Sequence, residues 1–170
     1  MLGDKRDLKT QYKDNNSNSI GNSTEKEIGK SAAEIYLKGE EYILKQDYSN
    51  GVLLLRSVLC KENTQAQALM GFCLEFGLGI QQDFSWAEKL YSSAGMQGDG
   101  LACARLSFLR RYGRPGVVID RMEAEEWVKR VGNIEALSWL VKAADQYNLP
   151  AACYALGVCY HDGYFVFLMI

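Results

Sequence analysis

Ser23 and Lys26 stand at the Ser-x-x-Lys spacing that sets a hydroxyl nucleophile beside a lysine base, the arrangement of an acyl-transferring hydrolase. Such a nucleophile works only where packed structure holds the base against it. Here both residues fall in a polar stretch, and no Lys-Thr-Gly accompanies them. His161, the single histidine, is followed by Asp162. The pair offers a general base, although a solvated imidazole at a helix C-terminus, stabilised by the helix dipole, is the plainer reading. Cys60, Cys73, Cys103, Cys153 and Cys159 form an odd set with no Cys-x-x-Cys pair, which argues against zinc and for free, buried thiols in a reducing compartment. Gly95, Gly98 and Gly100 lack the Gly-Lys-Ser or Gly-x-Gly-x-x-Gly order of a phosphate loop and read as an inter-helix turn. The expectation is a chain that is not an enzyme, with no catalytic residue, no metal and no cofactor.

Charge offers a binding chemistry instead. Arg105, Arg110, Arg111 and Arg114 share one helix and its exit loop, and Glu123, Glu125 and Glu126 share the next helix. Spacings of three and four bring some of these to one face. One reading is a basic strip that grips an acidic peptide, with Arg105, Arg110 and Arg111 as the partner-binding residues; the other is a solvated face of intramolecular Arg–Glu pairs. Trp86, Trp127 and Trp139 read as core packing rather than ligand anchors. A net charge of -2 gives no general attraction to nucleic acid or to an anionic membrane. No apolar run approaches the roughly 20 residues that span a bilayer, and the N-terminus lacks the apolar core of a signal peptide. The expected location is the cytoplasm.

The elements that must position these side chains are helices. Residues 1–29 read as a disordered polar tail, and Ser31 with Glu34 forms a capping box that opens a helix running to about Gln46. Asp47-Tyr48-Ser49 breaks the run before a second helix carrying Val52, Leu55, Val58 and Leu59, making a divergent pair over 31–62. A phrase then recurs. In its first form, over about 65–98, Thr64 and Gln67 read as a capping box, Gly77 as a left-handed helix end, Gly79 as a loop and Asp83 as an N-cap, while Gly71 and Ala87 mark the closest approach of the two helices. Over 100–147 the phrase returns worn, as Gly113, Gly116, Asp120 with Glu123 as a capping box, and Ala124. A further second-type helix then starts at Gly132-Asn133 and runs through Trp139, so a first-type helix is missing between Trp127 and Trp139. A half repeat over 150–163 carries Leu156, Gly157, Tyr160 and Gly163. The apolar tail 164–170 reads as a segment that folds back, mediates self-association, or marks a truncated reading frame.

Ala152-x3-Leu156-Gly157-x2-Tyr160-x2-Gly163, Gly79-Ile80-x2-Asp83-x3-Ala87 and Trp139-Leu140-x-Lys142-Ala143-Ala144 resemble the markers of the Sel-1-like repeat, a relative of the tetratricopeptide repeat. The resemblance covers residues 30–163. It implies an all-α fold, an α/α solenoid in which antiparallel helix pairs form a right-handed superhelix. It also implies an adaptor or scaffold whose concave face, lined by first-type helices, binds a protein or peptide partner. A single-stranded RNA-binding helical repeat protein is the alternative, and a small hydrolase follows it, since a secreted bacterial branch of the family has been credited with binding or cleaving β-lactams. That branch ties its units by disulfides at positions that correspond here to Cys103 with Gly95 and Cys153 with Ala144, a departure that implies no such bridges.

Overall fold

Most of the helices start where a short polar side chain can take an amide that the first turn leaves free. The computed structural model describes residues 31–59, 63–131 and 137–163. Among them Ser31 and Glu34 exchange the two bonds of a capping box at the head of α1 (Ala32–Leu44), and α2 follows as Tyr48–Leu59. The next helix, α3 (Thr64–Phe76), is capped by Asn63, whose Oδ1 accepts from Ala66 N at 2.8 Å. Thr64, expected to be the cap, instead donates its hydroxyl to Gln97. Asp83 and Asp99 cap α4 (Phe84–Met96) and α5 (Gly100–Tyr112) in the same way. Asp120 caps α6 (Arg121–Val131) through Glu123 N, but no reciprocal box forms as expected: the Glu123 carboxylate accepts from Trp127 Nε1 and pairs with Arg110. The last two helices, α7 (Ser138–Asp145) and α8 (Pro150–His161), have no side-chain N-cap, and Pro150 takes the first turn of α8, where its missing N–H costs nothing. The polar tail, the start at Gly132-Asn133, the apolar tail, Cys60 and the Ser23–Lys26 pair lie outside the described residues.

Three antiparallel pairs, α1–α2, α3–α4 and α5–α6, stack in chain order. The second helix of each pair packs on the first helix of the next, and the first helices α1, α3 and α5 lie side by side. This is the expected all-α solenoid, with no strand among the described residues. One continuous core runs through it, from Ile35 and Leu55 through Phe72, Leu74, Tyr91 and Leu106 to Leu140 and Ala155.

Backbone seats fix the register between units. Gly77 ends α3 in the left-handed conformation (φ 68°, ψ 34°), as expected, and Gly79 follows at φ 66°. A Cβ on Gly79 would lie 2.6 Å from the carbonyl carbon and oxygen of Tyr48, so this loop rests directly on the first residue of α2. One unit later Gly116 sits against Ser85 in the first turn of α4, and the Ser85 hydroxyl donates to Gly116 O at 3.2 Å. Gly113 precedes that loop as the C-cap of α5. Inside the α3–α4 pair Gly71 receives the ring of Tyr91: a Cβ on Gly71 would lie 2.8 Å from Tyr91 Cε1. Ala87 and Ala124 are both fully buried, each on the second helix of its pair.

Replacing Gly71 therefore drives a side chain into a closed ring contact. Gly71→Leu is expected to destabilise the protein by about 1–3 kcal/mol through overpacking, read as a lowered midpoint of urea unfolding; an unchanged midpoint would contradict the packing described.

Candidate functional site

Beneath the row of first helices lies a buried ion pair. Glu75, in the last turn of α3, receives Arg105 of α5 through two bonds, Nε to Oε2 at 3.0 Å and Nη2 to Oε1, and it also accepts from the Tyr91 hydroxyl of α4 at 2.8 Å. The Arg105 guanidinium lies 4.5 Å from the centre of the Phe108 ring and 5.5 Å from that of Phe76. Desolvation weighs against the Arg105 cation, yet the charge and hydrogen bonds of Glu75 together outweigh it and hold the guanidinium above its ordinary value. Burial, with the Glu75 charge beside it, pushes the Tyr91 phenol well above its own. Arg105 is 0% exposed. The expectation that it grips a partner is thus corrected: its long side chain lies in the interior, where with the Tyr91 hydroxyl it compensates the buried Glu75 carboxylate. The other two arginines reach the surface in intramolecular pairs. Arg110 bridges Glu88 of α4 at 2.6 Å and Glu123 of α6 at 3.1 Å, and Arg111 meets Glu125 of α6 at 2.6 Å.

Aromatic rings cover the ion pair. Phe72 and Phe76 of α3 pack at 4.6 Å between ring centres, and Phe108 and Tyr112 of α5 at 5.0 Å. The terminal helices rest on these rings. Trp139 of α7 meets Phe72 edge to face at 5.0 Å between ring centres, and Tyr154 of α8 stands nearly perpendicular to Phe76 at 6.1 Å and to Phe108 at 6.5 Å. At the rim the Tyr112 hydroxyl donates to Asp162 at 2.7 Å, and Lys142 of α7 approaches Glu40 of α1 at 3.8 Å. The α7–α8 pair thus lies across α1, α3 and α5. Between α7 and those helices runs a solvent-open cleft of about 530 Å³, bordered by Tyr36, Glu40, Gln65, Asp99 and Trp139.

The half repeat can be compared with its intact counterpart position by position. Gly157 stands where Gly71 does in α3, but nothing lies within 4 Å of a Cβ placed there. Leu156 is half-buried where Met70 is fully buried, and Tyr160 is 58% exposed where Leu74 is buried. Gly163 keeps the positive φ, 74°, of Gly77. The face of α8 that an intact unit would turn to its second helix is therefore open among the described residues.

Cys103 Sγ lies 3.6 Å from Gly95 O, and Cys153 Sγ lies 4.0 Å from Ala144 O, so each thiol faces the position paired with it in the sequence. Burial pushes the Cys73 thiol up to about 12 and, as the largest influence, those of Cys103 and Cys159 to about 11. Cys153 is exposed, against the expectation that the cysteines are buried, because it falls on the outer side of the first turn of α8. His161 is exposed at the end of α8, with Nδ1 3.1 Å from Asp162 Oδ1. Among the described residues no three His, Cys, Asp or Glu side chains converge as a metal site, and no helix is long and apolar enough to cross a membrane. Trp127 is buried, while Trp86 and Trp139 are partly buried against the core. The aromatic face and Glu40 carry no distinctive residue spacing; only the recurrence of first-type helices, which places Phe72, Phe76 and Phe108 side by side, could have gathered them.

Two measurements check this geometry. Glu75→Gln removes one charge of the buried pair and is expected to cost about 3–5 kcal/mol of stability, read by chemical denaturation; a loss below about 1 kcal/mol, the range of exposed pairs, would contradict it. At pH 8 the raised thiols hold little thiolate, so iodoacetamide is expected to label Cys153 at least about tenfold faster than Cys73, Cys103 or Cys159, as followed by peptide mass spectrometry, and equal rates would contradict the burial.

The comparisons with known proteins agree with this architecture. A model of the Sel1 repeat matches residues 29–57, 64–99, 100–131, 128–148 and 150–167, and the short fourth unit shares residues with the third where a first-type helix is missing. Over 71 residues the chain is 37% identical to chitin synthase regulatory factor 3 of Schizosaccharomyces pombe, a stretch that makes up 42% of this chain and 8% of that protein. The crystal structure of a Sel1 repeat protein from Oxalobacter formigenes superimposes with a TM-score of 0.54 at 23% identity, over 76% of this chain and 60% of that one. A protective antigen of uropathogenic Escherichia coli strains that displays an SLR fold gives 0.58 at 22%, over 78% and 34%. The chain spans less than two thirds of each of these relatives. Sel1 repeat proteins generally mediate protein–protein interaction. With five matched units over most of its length and a solenoid of the same fold, the chain belongs to the Sel1 repeat family.

Proposed function

We propose that this chain is a non-enzymatic interaction scaffold of the cytoplasm whose first-helix face binds a segment of a protein partner. The observation that carries this reading is the side of α3 and α5 on which Phe72, Phe76, Phe108 and Tyr112 gather and which already receives helix side chains, Trp139 and Tyr154 of the chain's own α7–α8 pair; of the four rings only Tyr112 is exposed, and Glu40 stands at the rim. Aromatic rings give large contact area at little conformational cost and recur at the centres of interaction surfaces. The regulatory role named for the fission-yeast relative fits such a scaffold, as does the family's general use in protein–protein interaction. The arginine strip supplies little: Arg105 is enclosed, and Arg110 and Arg111 already hold carboxylates on α4 and α6.

Affinity purification of the full chain from its own cells, compared with two surface variants, tests the assignment. Glu40→Lys combined with Tyr112→Ala alters the first-helix face, and Glu125→Lys combined with Glu126→Lys alters α6. Proteins recovered with the wild type are expected to be lost with the first variant and kept with the second. Loss only with the α6 variant would move the binding surface to the second helices and overturn the reading.

A further inference from the structure

α7 is a short element, tied to the core by Leu140 and Ala143, that also makes specific contacts on the first-helix face. It spans eight residues, no side chain caps its N-terminus, and its Trp139 indole N–H has no hydrogen-bond partner among the described residues. A solvent-open cleft of about 530 Å³ runs between it and the first helices. A region with this character opens locally at low cost, well before the molecule unfolds. Yet the side chains it presents suit the face. Trp139 meets Phe72 in an edge-to-face contact, and Lys142, three positions on and so on the same side of the helix, brings a cation to Glu40. Asp99 adds a second carboxylate at the cleft wall.

Resting on the reading of the first-helix face as the binding surface, we propose that this face is a receptor for a short amphipathic helix carrying an aromatic residue and, three positions later, a lysine. The chain's own α7–α8 pair occupies it as a competitor, and a partner helix binds by displacing α7. The intramolecular helix shows the chemistry of the occupant, since an aromatic ring and a lysine on one helical ridge meet an aromatic ring and a carboxylate. It also sets the energetics. A partner's apparent affinity is its intrinsic affinity reduced by the fraction of molecules in which α7 has lifted away, so any change that frees α7 tightens partner binding without touching the receptor face.

The test uses the full chain and a fluorescein-labelled peptide of residues 136–147, with binding read by anisotropy. Trp139→Ala and, separately, Lys142→Glu in the full chain are expected to bind the peptide at least about tenfold more tightly than the wild type does. The Lys142 side chain is well exposed, so its variant keeps the fold should Trp139→Ala lose it. Adding Glu40→Lys to either variant is expected to abolish that gain, and a peptide carrying Lys142→Glu to restore it. Equal binding by wild type and variants overturns the proposal. So does a failure to bind when amide hydrogen exchange over 138–161 shows the pair released, and so does unaltered exchange in both variants, because the named contacts would then not hold the pair. In the affinity purification, partners indifferent to Trp139→Ala but sensitive to Glu40→Lys would dismiss the competition and keep the binding face, whereas insensitivity to the face variant dismisses the face itself.

Discussion

A carboxylate in the interior obliges everything around it. Glu75 lies where α3, α4 and α5 meet, and it is tolerable there only because Arg105 and Tyr91 spend their donors on it. Removing either charge leaves the other uncompensated in a low-dielectric site, which is why such a pair constrains geometry more than it adds stability. The three partners belong to three successive helices, so the pair is satisfied only when one unit is in register with the next. The rings of Phe76 and Phe108 close over the guanidinium and form the floor on which Tyr154 stands. The same charge compensation that ties the units together thus builds the surface to which the functional reading is assigned.

Much of this architecture is legible in the residues. The aspartates at 83 and 120, the glycines at 77, 79 and 116 and the capping box at Ser31 act locally, through hydrogen bonds and backbone angles that depend on a few neighbours, and they sit as their spacing implies. Other features depend on what lies across space. Arg105 reads as one of a basic run because its partner Glu75 is thirty residues away, and nothing near either residue announces the pair. Asn63 displaces Thr64 as a cap through a one-residue competition that a hydroxyl loses when Gln97 offers it an acceptor. Gly71 reads as a close approach, but that the Tyr91 ring fills the gap depends on the crossing of the two helices.

The irregular end of the repeat array has a physical reading as well. A regular solenoid buries each first helix between its neighbours and its own second helix, and each unit supports the next. Here a first-type helix is absent between α6 and α7, so α7 and α8 reach the core by lying over α1, α3 and α5. Their buried residues, Leu140, Ala143, Ala152 and Ala155 among them, join the common core. The cost of that arrangement is visible in the cleft beside α7 and in the open signature face of α8.

The two glycine loops carry an evolutionary consequence. Gly79 on the Tyr48 backbone and Gly116 on the Ser85 hydroxyl transmit position from unit to unit through the loop backbone and one short side chain. Curvature set in this way does not depend on the side chains displayed on the first helices. Residues on the inner surface are then free to drift and acquire new specificities while the scaffold keeps its shape, provided that the seats themselves stay glycine.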